Sequence, residues 1–456
     1  MFEVVGVPGR GRAVRATKAL ARGQTVLLNP PLAFVLRHEE RVARRCEDCF
    51  VSEKPEHRLA NCSLCHTAAY CSKPCQTRNW KRAHKHVCKL LQTLPENPQP
   101  PHIIDAAAMT VATLVALERR AKLEDKESEQ ASPDPGSAVR QPRCADFWAM
   151  AQHTPTLNSE ELDDVLQLVA VTQCPGSTDK QRVMDVLQRA DCNNFSIWDE
   201  LLLPRGAGVY PWGAILNHSC EPNCVMTYRG PLHAQAVKAL RDIAVGEELC
   251  HSYIDLYAPT GQRHSHLGDQ YGFECDCALY LDGALAELDA LPEVTAAEMR
   301  LPGKMLHELE CEAEERQRLL SLYRAAETLK DYAWSTPEEE LVCLLQGYNI
   351  LRRLAHPANI SLTSIMTRLQ NVATECGRLE DIALPVGQHL ALAYDHVYPE
   401  HNPLCGLQYY RLGDVANLAQ KQALALLWHR RAYQVLRTTH DADHWLLTQL
   451  QETYGF

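Results

Sequence analysis

Seven cysteines and one histidine with zinc-type spacing crowd the stretch from Cys46 to Cys88, as Cys46-x2-Cys49, Cys62-x2-Cys65, Cys71-x3-Cys75 and His84-x3-Cys88. Thiolate and imidazole are the donors that tetrahedral zinc takes, and four paired half-sites are what two such ions require. A segment this short and polar has few apolar side chains, so bound metal has to supply its folding energy. His86 competes for the last histidine position. His84 is preferred because it keeps the three-residue gap to Cys88. Far downstream stands a second cluster, Asn217-His218-Ser219-Cys220-Glu221-Pro222-Asn223-Cys224. It is followed by Gly246-Glu247-Glu248-Leu249 leading to Tyr253, and by Tyr271-Gly272-Phe273-Glu274-Cys275-Asp276-Cys277. The pairs His264 with His266 and His440 with His444 lack partner ligands and read as surface residues.

These residues need scaffolding, and a chain of 456 residues is long enough for two to four domains. Hydrophobic content of 46% and charged content of 23% are ordinary for a soluble globular protein. No uninterrupted apolar run is long enough to span a bilayer, and Met1 to Arg12 lack the apolar region of a secretory signal. The expected location is cytoplasm and nucleus, without membrane attachment. Disulfides are disfavoured there, so metal is the better account of the clustered thiols among 19 cysteines. The isolated Cys343, Cys376 and Cys405 read as small buried hydrophobes.

The net charge of −11 is unevenly spread. Residues 1 to 90 carry Arg10, Arg12, Arg15, Arg41, Arg44, Arg45, Lys81, Arg82, Lys85 and Lys89, whereas the stretch from Asp282 to Glu340 is acidic. A basic face can meet nucleic acid or acidic peptides, and an acidic face can attract basic protein substrates. Solvated surface is the plainer reading of both.

Short strands are expected at Glu3-Val4-Val5, Ala13 to Ala16 and Thr25 to Leu28, and again at Ala234 to Val237 and Glu248 to Tyr253. Between them, Ala108, Val111, Ala112 and Val115 recur at helical spacing, and residues 121 to 143 turn polar around Ser132-Pro133-Asp134-Pro135-Gly136. Asn158 with Glu161 predicts a capped helix start, with Leu162, Val165, Leu166 and Val169 along one face. Beyond about Leu281 nearly everything is helical, with stripes at Leu319, Leu322, Tyr323, Ala326 and Leu329 and at Leu424, Leu427, Trp428 and Val435. An antiparallel helical array is expected there, a degenerate helix-pair repeat without a clean signature.

Taken in order, Gly9-Arg10-Gly11, the zinc cluster, the 217–224 block, Gly246 to Tyr253 and Tyr271 to Cys277 resemble the SMYD family. Its members are lysine methyltransferases whose SET domain is split by a MYND zinc module. The likeness covers residues 6 to 280 firmly and the helical remainder loosely. It implies an α+β fold: a β-rich SET core with the MYND module projecting from it, a helical insertion and an all-α, TPR-like C-terminal domain. The implied divisions are 1–45 and 191–258 for the SET core, 46–88 for the MYND module, 89–190 for the insertion, 259–280 for the post-SET segment and 281–456 for the C-terminal domain.

The resemblance also assigns roles. S-adenosylmethionine would be held by Gly9, Arg10, Gly11, His153, Asn193, Asn217, His218, Tyr253 and Phe273. Tyr253 and Tyr271 would orient the lysine amine, and Phe195 would wall the channel. Aromatic walls suit an aliphatic stem ending in an ammonium, because ring faces attract cations. One zinc would take Cys46, Cys49, Cys71 and Cys75; the other would take Cys62, Cys65, His84 and Cys88. The gap from Cys75 to His84 is one residue longer than the family leads one to expect. A third zinc would sit on Cys220, Cys275 and Cys277, but Tyr280 stands where the fourth cysteine belongs.

The implied partners are lysine-bearing proteins, histone or non-histone, with proline-rich peptides at the MYND module, and the chain itself is expected to be a monomer. DNA is a lesser alternative that a steep salt dependence would reveal. The competing function is a non-catalytic adaptor or transcriptional co-regulator with a degenerate SET domain.

Overall fold

The computed structural model describes residues 1–7, 11–127, 139–153, 157–277, 300–301, 304–305, 321 and 336–456. Gly9, Arg10, Tyr280, the 319–329 stripe and nearly all of the acidic stretch lie outside the described residues. The chain divides into two compact units. One holds residues 1–217, 226–250 and 268–273; the other holds 218–225, 251–267 and 274–456.

The first unit is an α+β body. Phe2–Val7 and Gly11–Ala16 pair antiparallel, with Phe2 opposite Ala16. Thr25–Asn29 pairs antiparallel with Ala234–Ala239, over two hundred residues away. A third sheet places Pro204–Val209 between Ala33–Leu36 and Asn194–Trp198. Glycines are required in that central strand, because a Cβ at Gly206 would collide with the Phe50 ring. The predicted strand from Glu248 to Tyr253 shrinks to Cys250–His251.

The core of this unit is organised by the helix Pro101–Glu127. Its run of Ala106, Ala107, Ala108, Ala112 and Ala116 keeps the surface thin. Ser159–Val171, Lys180–Asn193 and Ala33–Leu36 all pack against it. By length and composition this helix could cross a bilayer, but most of it is buried in the core, with Ile103, Ile104, Val111, Leu114 and Leu117 nearly inaccessible. The capped start at Asn158 is present. Its side chain accepts from the Glu160 and Glu161 amides, and Glu161 accepts in return from the Asn158 amide at 2.9 Å.

In the second unit the helices Pro337–Leu354, Ile360–Glu375, Leu384–Val397, Pro403–Leu418, Gln422–Thr439 and Trp445–Tyr454 each pack on the next. Thr336, Asn359 and Asn402 cap their helices, and proline opens the first turn after Thr336 and Asn402. The expected stripe on Gln422–Thr439 needs correction. The buried face runs through Ala425, Trp428, His429, Ala432 and Leu436, while Leu427 is 54% exposed. Small residues win that face because Pro403–Leu418 approaches closely there: a Cβ on Gly406 would press on Leu436, and one on Gly413 would collide with His429. Of the isolated thiols, Cys405 is buried, whereas Cys343 and Cys376 are only half-buried.

Candidate active site and metal centres

The two tetrads in the 46–88 segment assemble as the family resemblance implies. The donor atoms of Cys46, Cys49, Cys71 and Cys75 lie within 4.8 Å of one another, as do those of Cys62, Cys65, His84 and Cys88. A zinc tetrahedron with bonds of about 2.3 Å has edges of roughly 3.8 Å. The separations match: 3.6 Å for Cys49 to Cys71, 3.5 Å for Cys71 to Cys75, 3.9 Å for Cys62 to Cys88 and 3.8 Å from Cys65 Sγ to His84 Nε2. The donor set and geometry therefore fit zinc. Within each tetrad one thiol is pushed down, Cys46 by a hydrogen bond from Cys49 and Cys65 by one from Cys88. Arg78 adds a cation 3.2 Å from Cys75 Sγ.

The extra residue before His84 is absorbed by a widened helical turn over Trp80–His84, between Lys73–Asn79 and Lys85–Thr93. Such a turn takes in one residue without breaking the helix. His86 is turned away, with Nδ1 3.4 Å from the Thr172 carbonyl.

The module does not project as an isolated knob. Cys46, Cys62, Cys65, Tyr70, Cys75 and Cys88 belong to the same apolar cluster as Leu90, Leu91, Ile103 and Ile104. Its charges are also spent internally. The Asp48 carboxylate is fully buried and takes Arg82 at 2.7 Å and Arg78 at 2.6 Å. The Arg82 guanidinium also lies 3.6 Å over the Phe34 ring. Arg41 pairs with Glu47, Arg44 with Glu53 and Arg45 with Glu40. Arg41, Arg44, Arg45 and Arg82, four of the basic residues named in this region, are thus paired with acids in place. His233, from the distant 226–250 segment, stacks on Phe50 at 4.0 Å and places Nε2 3.1 Å from the Asp48 carbonyl. Burial pushes its pKa down to about 4.

Other predicted residues gather within each unit. In the first, Gly11 has φ +75° and nothing within 4 Å of a built Cβ, so its backbone borders open space. The Asn217 amide donates to the Arg12 carbonyl at 3.0 Å and to the Glu248 carboxylate at 2.8 Å. Leu249 N donates to the Val14 carbonyl at 2.8 Å. The Asn193 amide donates to the carbonyls of Ala151 and Arg189, both at 2.8 Å. His153 lies against Gly272, whose Cβ would come within 3.1 Å of the ring. Tyr271 has its pKa pushed up to about 12, by burial first and then by Cys192 and Asp191. Phe195 packs edge-on to Tyr210 with centroids 5.9 Å apart, and Phe273 is half-buried.

In the second unit the Tyr253 ring lies 4.8 Å from His251 and 5.5 Å from His218. The Tyr253 amide donates to His218 Nδ1 at 3.0 Å. The ring's other nitrogen, Nε2, is 3.4 Å from Cys220 Sγ, which is 4.0 Å from Cys275 Sγ. The donor atoms of His218, Cys220 and Cys275 form one group within 4.8 Å. Cys277 hydrogen-bonds to both cysteines.

Sequence reading missed two partners. Glu248 was seen only as part of a turn motif, not as the mate of Asn217. His218 was not placed with the thiols, although its position two residues before Cys220 was the available signal.

Comparison with known proteins places the chain among related sequences. The SET domain family matches residues 11–254. The N-lysine methyltransferase SMYD2-B of Danio rerio is 27% identical over 99% of this chain and 97% of its own length. N-lysine methyltransferase SMYD2 of Homo sapiens is 26% identical, covering 98% and 96%. Histone-lysine N-methyltransferase SMYD3 of Homo sapiens is 27% identical, covering 97% and 94%.

Proposed function

We propose a working site for a chain that belongs to the SET-domain family and, within it, to the SMYD protein-lysine N-methyltransferases. The reaction moves a methyl group to the side-chain amine of a protein lysine. When bound, S-adenosylmethionine supplies an electrophilic methyl on a positively charged sulfur. The residues present fit that donor in kind: an open glycine backbone at Gly11, amides at Asn193 and Asn217, and a half-buried ring at Phe273. We assign its binding to Gly9, Arg10, Gly11, His153, Asn193, Asn217, His218, Tyr253 and Phe273. The His218 ring faces the thiols, so its share falls to the backbone.

The chain's task is to present a neutral amine. A lysine with an ordinary pKa of about 10.4 is protonated at neutral pH and has no lone pair to attack with. Stripping water from the ammonium favours its neutral form. Tyr253 and Tyr271 then orient the amine, and Phe195 walls the approach. A phenol with its pKa near 12, as at Tyr271, stays un-ionised. It can orient the nitrogen by hydrogen bonding without adding a negative charge that would hold the proton on.

The observation that carries this reading is the Asn217 amide. It ties the strand after Gly11 to the Gly246–Leu249 turn through Arg12 and Glu248, fastening three separated motifs. Substrates are histone or non-histone proteins, and the zinc module is the place for proline-rich peptides. The arginine pairing around Asp48 argues against DNA as its main ligand.

Radiolabelled methyl transfer to histone and non-histone protein pools tests the reading. Label should appear on lysine, and Tyr253→Phe should lower the rate by about 10²-fold or more while calorimetry still detects donor binding. Neither transfer nor donor binding in the unsubstituted chain would remove the assignment.

A further inference from the structure

We propose that Asp255 is a positioning residue for methyl transfer: through the Tyr398 hydroxyl it couples the C-terminal helices to the backbone that carries Tyr253. The kinetic meaning of this coupling rests on the methyltransferase reading; the coupling itself does not.

Tyr253 stands on irregular backbone, because the strand before it ends at His251. A phenol there is only as well aimed as the bonds that fix its loop. Some of those bonds are internal. The Ser252 hydroxyl donates to the Ile254 carbonyl at 2.7 Å, and the Ala258 amide donates to the Asp255 carbonyl at 3.0 Å. Arg263 adds a buried cation, 3% exposed, that meets no carboxylate among the described residues. It donates instead to the carbonyls of Leu256 at 3.3 Å and Ala258 at 2.6 Å, and to the Thr260 hydroxyl at 2.8 Å. These bonds shape the loop, but every partner in them lies between residues 252 and 263.

The hold from outside comes from the helix Leu384–Val397 and Tyr398, the residue that ends it. Tyr394 and Tyr398 stand four positions apart, so they share a helix face, and both pack on Tyr257. Ring packing sets a distance and leaves direction free. The Tyr398 hydroxyl supplies direction. It donates to Asp255 Oδ1 at 2.9 Å, and the same oxygen accepts the Tyr257 amide at 2.9 Å. One oxygen therefore joins loop and helix two residues past Tyr253. Burial, and then the Asp255 charge, push the Tyr398 pKa up, so its hydroxyl keeps its proton and stays a donor. A carboxylate acceptor makes the stronger kind of hydrogen bond.

Transfer between aligned atoms is sensitive to placement, with an error of about 1 Å costing on the order of 10²-fold. A small swing of this backbone should therefore appear in kcat. Asn193 and Asn217, assigned to the donor, are fastened by other bonds, so donor affinity should change little.

The test uses the full chain, with methyl transfer to a histone pool at saturating S-adenosylmethionine, donor binding by calorimetry, and amide hydrogen exchange across 252–258 by mass spectrometry. Tyr398→Phe should lower kcat about 10-fold, leave donor affinity within about threefold and speed exchange in the loop. Asp255→Asn keeps an acceptor oxygen, so its kcat should stay within about threefold and its exchange should stay slow. Asp255→Ala should fall as far as Tyr398→Phe, and combining the two should cost nothing further. Additive losses, an unchanged kcat in Tyr398→Phe, or donor affinity falling in step with kcat each overturn the proposal. If the unsubstituted chain transfers no methyl, the functional reading fails, and exchange alone decides the coupling: equal rates with and without the Tyr398 hydroxyl overturn it.

Discussion

The metal centres at 46–88 and the thiolate group at 220–277 are built on opposite plans. In the first, two closed tetrads come from local pairs, and their cysteines merge with the apolar cluster around Leu90, Leu91 and Ile103. In the second, the pair His218 and Cys220 meets Cys275 from a segment more than fifty residues further on. A shell completed within one short segment would act as a folding device when filled. A shell assembled from afar would instead tie distant segments together. The difference teaches that metal-capable groups in one chain can be built for different ends.

The strongest way to break this contrast is Cys62→Ala. Metal analysis should find one ion fewer, and because the cysteine sits in the shared core the melting temperature should fall by roughly 10 °C or more. Arg82→Met comes next. It leaves the buried Asp48 carboxylate with Arg78, whose side chain is 42% exposed, and should cost about 3–5 kcal/mol in denaturant unfolding. Adding Asp48→Asn should recover part of that loss.

A third effect depends on pH. The His233 pKa is depressed from 6.5 to about 4, chiefly by burial. The folded state holds the ring neutral while the unfolded chain protonates it. The stability is therefore fully present above pH 6.5 and is lost as pH falls toward 4, at up to about 1.4 kcal/mol per pH unit. His233→Gln should flatten that slope in melts taken across this range; an unchanged slope would assign the acid sensitivity to the thiolates instead. The smallest effect on stability is expected from Cys275→Ser. Its melting temperature should move by only about 2–4 °C, a loss near 1 kcal/mol, while the third ion is lost and kcat falls. A large drop in melting temperature there would erase the contrast between the two plans.

What could be read from sequence follows the same division. The four half-sites were legible because metal fixes residue type and spacing together, but their interleaving into two tetrads came from the family resemblance; the odd residue before His84 needed only one widened turn. The strand positions near Val14, Leu27 and Val237 were legible from β-rich composition, but their pairing was not, since Thr25–Asn29 finds its mate beyond residue 230. Asn217 could be singled out, whereas Glu248 as its partner could not, because nothing local links positions 31 residues apart. Leu427 misled through size alone: the buried face belongs to Ala425 and Ala432, where close helix approach favours small side chains. The division expected near residue 281 falls outside the described residues. Segment 251–267 groups with the C-terminal helices, a partnership that chain order hides.

That partnership has a consequence for anyone hoping to trim the protein. Asp255, two positions after Tyr253, accepts the Tyr398 hydroxyl at 2.9 Å. Tyr257 packs on both Tyr394 and Tyr398, with centroids 5.6 Å from each, and those two rings also touch each other at 5.3 Å. A fragment ended at Cys277 would take Tyr394 and Tyr398 away from Tyr257 and the Tyr398 hydroxyl away from Asp255. The C-terminal helices thus brace the loop that follows Tyr253.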